Sequence, residues 1–273
     1  MRYGLYGLHR NDNAGRSELA ARALRAEAVG FESLWVGDHI ALPDDAPDPA
    51  DEPRLEALTA LTFLAAVTER VRLGAGVLVL PQRHPVLAAK QLASIDHLSI
   101  GRLEVGVAIG YVPAELAAFG VELSERAART EENVAAIRAL WAGERGFVGR
   151  WTQFGDVSQT PQPTQRPGPP IVFGGHAPEA LRRAARLGDG WFGWELTPTQ
   201  AAEYVRTLAG HREPHLPRLQ ISVVPQALPT PGMVDDYSAA GVDRLILCPD
   251  PVTGAATDRL IDYAADHLVA PLS

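Results

Sequence analysis

Asp38 and His39 leave the end of an apolar run, Leu34-Trp35-Val36, as an adjacent carboxylate and imidazole. An imidazole with an unperturbed pKa of about 6.5 can give or take a proton at neutral pH, and the neighbouring acid can orient a ligand or tune that pKa. A plainer reading has the aspartate accepting loop amides and the histidine satisfied by a backbone carbonyl. A second constellation, Gly174-Gly175-His176-Ala177, follows Ile171-Val172-Phe173 and opens an alanine- and arginine-rich stretch. Two glycines before a helix leave backbone N–H groups and the positive helix end open to an anion, phosphate above all, although a tight turn also explains them. His9, Asp38, His39, His84 and His176 could converge on a metal, but no H-x-H or H-E-x-x-H spacing occurs, and no metal ligand is assigned.

These groups need elements that bring strand ends together. Eight apolar or β-branched runs alternate with helical stretches: Tyr3–Leu8, Ser33–Gly37, Arg72–Leu80, Leu103–Ile109, Pro170–Gly174, Gly190–Trp194, Leu219–Pro225 and Arg244–Cys248. Helices are predicted over Ser17–Val29, Arg54–Glu69, Pro85–Leu98, Glu125–Trp141, Pro178–Leu187, Pro198–Ala209, Val234–Ala240 and Ala256–His267. Eight such rounds predict an α/β fold, a closed (β/α)8 TIM barrel whose site lies at the C-terminal strand ends; a doubly wound open sheet is the competing architecture. About 60 residues separate strands four and five, and "GFVGRWTQFGDV" within them predicts an inserted hairpin. The acidic, proline-rich "LPDDAPDPADEP" after strand two reads as a loop over the site, within one domain spanning 1–273.

Composition narrows the chemistry further. A net charge of −8 opposes a general attraction to nucleic acid or anionic lipid. Cys248 is the only cysteine, which removes disulfide frameworks and cysteine-based metal sites, and Lys90, the only lysine, falls within a helix rather than at a strand end where Schiff-base chemistry would want it. No run of 18 apolar residues and no leader-like N-terminus is visible, so a cytoplasmic protein without membrane contact is expected, acting on a small molecule.

The stretches "FESLWVGDHI", "VRLGAGVLVLPQRHPVLAAKQLASIDHLSIGRLEVGV", "ERAARTEENVAAIRALW" and "PPIVFGGHAPEALRRAARLGDGW" together resemble the bacterial luciferase-like family, and within it the oxidoreductases that use the deazaflavin coenzyme F420. The resemblance implies a (β/α)8 barrel binding F420 or, alternatively, FMN. It puts Asp38 at a cofactor-contacting acid and His39 at a catalytic histidine. Gly76 and Val77 fall at a cis non-proline peptide behind the ring, and Gly174, Gly175, His176 and Ala177 at the loop receiving the cofactor phosphate. Homodimers are common in the family, and "LEALTALTFLAAV" is apolar enough to serve as the interface, although plain core packing explains that segment at least as well. The chain departs from the family pattern at Ala108, Leu42 and Tyr111. Where dehydrogenase members carry a glutamate, Tyr111 stands as a weaker acid, so His39 is expected to work with Tyr111 and without a carboxylate partner. The leading expectation is an F420-dependent oxidoreductase moving a hydride between the deazaflavin and a small organic substrate. An FMN-dependent monooxygenase, a non-catalytic flavin-binding protein and a metal-dependent isomerase or hydrolase are the alternatives.

Overall fold

The strands are built from residues that alternate between two kinds of interior. In β2 (Ser33–Val36), Leu34 and Val36 pack outward against helices while Trp35 points into the barrel, and Leu245, Ile246 and Leu247 of β8 (Arg244–Leu247) repeat that alternation. The other barrel strands are β1 (Arg2–Tyr6), β3 (Arg72–Ala75), β4 (Leu103–Ala108), β5 (Ile171–Gly174), β6 (Gly190–Leu196) and β7 (Gln220–Pro225). Each is parallel to the next, β3 pairs with β4, and β8 pairs back with β1, which closes the predicted (β/α)8 barrel. This computed structural model describes residues 1–46 and 48–269; Pro47 in the acidic loop and 270–273 at the end of the expected 1–273 domain lie outside the described residues.

The surrounding helices are α1 (Arg16–Val29), α2 (Ala57–Val67), α3 (Pro85–Leu98), α4 (Pro113–Ala118), α5 (Arg126–Trp141), α6 (Pro178–Leu187), α7 (Pro198–His211), α8 (Pro231–Ala239) and α9 (Gly254–His267). Their ends follow local chemistry. Gly30 closes α1 at φ 111°, and Thr197 and Gln200 form a reciprocal capping box at the start of α7. The predicted hairpin pairs Phe147–Val148 with Gln153–Phe154 between β4 and β5. Among the described residues no helix is long and apolar enough to cross a membrane.

Two features of the barrel interior fix the floor of the site. Trp35 fits because its neighbours are glycines: a Cβ on Gly74 would lie 2.3 Å from the Trp35 ring and one on Gly4 3.0 Å. Below it, Arg244 is fully buried and hydrogen-bonded to Glu104 (2.9 Å) and Glu32 (2.7 Å), with its guanidinium 5.3 Å from the Trp35 ring centre. One expectation fails here. The predicted strand Arg72–Leu80 is not continuous: β3 stops at Ala75, the Gly76–Val77 peptide is cis, and Leu78–Val79 shifts to pair with Val107 and Ala108. Gly106 makes the break possible, since a Cβ there would sit 1.9 Å from the Ala75 carbonyl oxygen.

Candidate active site

The C-terminal ends of the strands open into a cavity of about 1370 Å³. Asp38, His39, Gly76, Val77, Tyr111, Gly174, Gly175 and His176 all line it, while Ala177 stands just outside as the N-terminal cap of α6. Tyr6, Phe192 and Trp194 supply an aromatic wall, with Tyr6 and Trp194 edge to face at 5.0 Å.

The end of β2 is held from both sides. Gly37 donates its N–H to His9 Nε2 at 3.0 Å, and no side chain fits at position 37 because a Cβ would meet the Tyr6 hydroxyl at 2.1 Å. That bond fixes the His9 tautomer, with the proton on Nδ1. Burial, reinforced by the charges of Arg10 and Arg54, lowers the His9 pKa to about 3, so the ring is neutral. The Asp38 carboxylate is fully buried and accepts three hydrogen bonds: Val79 N–H donates at 2.8 Å, and Arg83 makes a bidentate pair at 2.5 and 2.7 Å. Arg83 is itself tied to Glu56 at 2.8 Å. Asp38 therefore joins the β2 end to the segment following the cis peptide, and its carboxylate presents no free oxygen to the cavity.

His39 sits between two carboxylates. Its Nδ1 lies 3.1 Å from Glu115 Oε2, and its Nε2 lies 3.1 Å from the Tyr111 hydroxyl and 3.5 Å from Asp48 Oδ2. Burial alone would lower its pKa, but the hydrogen bonds and charges of Asp48 and Glu115 outweigh burial and raise it to about 9. At neutral pH His39 is an imidazolium. Tyr111 donates to Asp48 Oδ2 at 3.1 Å, and burial together with the Asp48 charge pushes the phenol up to about 12. Despite the burial that opposes it, the His39 contact and the Ile40 and Ala41 N–H groups keep the Glu115 carboxyl below its usual range.

Glu115 corrects the expectation that His39 lacks a carboxylate partner. The acid is present four residues beyond Tyr111, and Pro113 at the first position of α4 places Glu115 in the first turn, facing back to the 39–41 loop. The "VPAE" spelling was the available signal. Asp48 carries no such signal, since nothing local marks it among the acids of its loop. What selects it is distant: Arg10 at 3.5 Å and Arg54 at 3.7 Å grip its Oδ1.

On the opposite side, β5 runs into Gly174 and Gly175, the latter at φ 114°. His176 is anchored by accepting the Trp194 N–H at 3.1 Å and stacks on Tyr204. The N–H groups of Gly175, His176 and Ala177 donate to no acceptor among the described residues and stand beside the first turn of α6. His84 does not join the other histidines at the cavity, and among the described residues no group of three or more His, Cys, Asp or Glu side chains is arranged to hold a metal ion.

The luciferase-like monooxygenase family model matches residues 1–245. An uncharacterized protein of Mycobacterium tuberculosis is 37% identical over 268 residues, covering 91% of this chain and 86% of that protein. The oxygenase component of the flavin-dependent trigonelline monooxygenase of Acinetobacter baylyi is 32% identical over 190 residues, covering 68% of this chain and 50% of its own length. An F420-dependent secondary alcohol dehydrogenase, solved with an F420–acetone adduct, shares the fold with a TM-score of 0.77 over 98% of both chains at 16% identity. The match to most of the chain, the closed barrel and the cavity at its C-terminal mouth agree: the chain belongs to the luciferase-like monooxygenase family, a family of oxidoreductases.

Proposed function

We propose that the protein is an F420-dependent oxidoreductase acting on a small organic substrate, with His39 handling the proton that accompanies hydride transfer. The observation that carries this reading is the clamped imidazolium, its Nε2 edge at the cavity and its Nδ1 held by a buried carboxylate.

The residues present suit a ring-bearing phosphate cofactor. Gly175, His176 and Ala177 offer three N–H groups with no acceptor among the described residues beside a helix N-terminus, a cradle for phosphate. Gly174 keeps the approach low, since a Cβ there would press on Val77 at 3.1 Å. The cavity exceeds the roughly 300–1,000 Å³ of a typical single-ligand pocket, which suits a cofactor and a substrate side by side. When bound, the deazaflavin supplies a two-electron hydride donor or acceptor. The protein supplies the rest: Val77 and the aromatic wall form apolar surface for a flat ring, and His39 Nε2, protonated at neutral pH, gives its proton to the reacting heteroatom and takes one back only after that proton has left.

An FMN-dependent monooxygenase is the second reading, favoured by the similarity to the flavin-dependent trigonelline monooxygenase. The same N–H groups would take the FMN phosphate. A non-catalytic flavin-binding protein would be favoured by the absence of an acid beside His39, and Glu115 at 3.1 Å from Nδ1 supports the catalytic readings instead. Fluorescence titration of the purified protein with each cofactor separates the two enzyme readings. Tight F420 binding, with turnover lost but binding kept in His39→Ala, is expected; tight FMN binding with no F420 binding overturns the proposal.

A further inference from the structure

We propose that Tyr111 and Asp48 form a proton relay that connects His39 Nε2 to solvent, a role that rests on His39 acting in proton transfer as read above. The direction of the hydrogen bonds carries it. A phenol has one proton, and Tyr111 spends it on Asp48 Oδ2 at 3.1 Å, so its oxygen is left to accept from His39 Nε2, also at 3.1 Å. The chain is therefore Nε2–H to Oη–H to Oδ2.

The other nitrogen offers no exit. Nδ1 faces Glu115, whose side chain is 2% exposed and already accepts two backbone N–H groups. Asp48, in contrast, is 32% exposed at the mouth. Its second oxygen is turned toward Arg10 and Arg54, and Arg10 is braced by Glu52 at 2.6 Å, so the carboxylate is aimed rather than loose. The groups facing the His39–Tyr111–Asp48 line are thus Glu115, Arg10, Arg54 and, behind Arg10, Glu52; His9 nearby is neutral.

The transfer balances without any other reactant. As the Nε2–H bond breaks, a new Oη–H bond forms and the original phenolic proton moves to Oδ2, converting imidazolium and carboxylate into neutral imidazole and carboxylic acid. No electrons change hands, and the phenol never has to ionise. The reverse step reloads His39 once its proton has gone to substrate. Tyr111 is therefore a conduit and Asp48 a positioning and exchange residue.

The test has two arms. In the cofactor-free protein, NMR titration of His39 reads the contact alone: Asp48→Asn is expected to lower the midpoint by about one unit or more, and an unchanged midpoint overturns the relay. In protein loaded with whichever of F420 or FMN binds, the His39 Nε2 proton is followed for exchange with water. Tyr111→Phe and Asp48→Asn are each expected to slow exchange by roughly tenfold or more, with Asp48→Glu restoring it. Exchange at the wild-type rate in Tyr111→Phe overturns the proposal, because a loop-fastening role for Asp48 alone would leave that variant untouched. Failure of both cofactors to bind would count against the functional reading, and the same exchange measurement on the cofactor-free protein, wild type against Tyr111→Phe, would still decide the relay.

Discussion

Replacing Glu115 by Gln removes one charge while keeping a side chain that can still accept from Ile40 and Ala41. The rise of the His39 pKa from 6.5 to about 9 corresponds to roughly 3 kcal/mol of preference for the imidazolium. Two carboxylates share it, Asp48 at 3.5 Å and Glu115 at 3.1 Å, so losing the Glu115 charge should forfeit about 2 kcal/mol near neutral pH. For a chain of this size that lowers Tm by roughly 4 °C. The His39 midpoint should fall from about 9 to roughly 7.5.

The pH dependence has a definite sign. Because the folded-state pKa of His39 is raised, its contribution is full below about 6.5 and is lost as pH climbs through about 9. Glu115 is shifted down, so its part is present above about 4.3 and is lost toward acid. The stability gap between wild type and Glu115→Gln should therefore be widest between about pH 5 and 6.5 and close by about pH 10. Urea denaturation across that range, with NMR titration of His39, measures both quantities. A gap of the same size at both ends of the range would refute the charged clamp, as would a wild-type midpoint near 6.5.

Other perturbations test the frame that holds the site. Gly74→Ala puts a Cβ 2.3 Å from the Trp35 ring and should cost about 1–3 kcal/mol by overpacking, partly recovered by Trp35→Phe, as read from thermal unfolding. Arg244→Met leaves Glu104 buried without its main partner and should destabilise by about 3–5 kcal/mol; the double change to Arg244→Met with Glu104→Leu should recover much of it. Gly175→Ala, at φ 114°, should cost about 1 kcal/mol of stability and weaken cofactor binding by roughly tenfold, seen by fluorescence titration.

Much of the barrel was legible because a parallel strand buried on both faces is an unbroken apolar run, and eight such runs punctuated by proline and glycine leave few topologies. The failures share a cause: each depends on a partner far along the chain. Arg72–Leu80 reads as one strand, and only Gly106, which admits the Ala75 carbonyl, explains why the chain breaks at Gly76. Asp38 looks like a free acid until Arg83, 45 residues later, claims both its oxygens. Asp48 is one of several acids in its loop until Arg10 and Arg54 select it. Spacing within an element is written locally, whereas the pairing of charges across strand ends depends on closure of the barrel.

Closure also explains how neighbouring strand ends carry one residue type in two states. His9 and His39 flank the same β1–β2 edge, yet the first has its pKa lowered to about 3 and the second raised to about 9. His9 is buried near two arginines and has a backbone N–H pointed at Nε2, which only a neutral ring can accept. His39 is set between Glu115 and Asp48, which only a charged ring satisfies fully. Arg10 and Arg54 serve both ends of this contrast, repelling a proton from His9 while holding Asp48 against His39. Environments that drive like groups apart in pKa mark the division between fixed polar support and proton transfer. On that ground His9 belongs to the wall of the site, and the proton that moves is the one on His39.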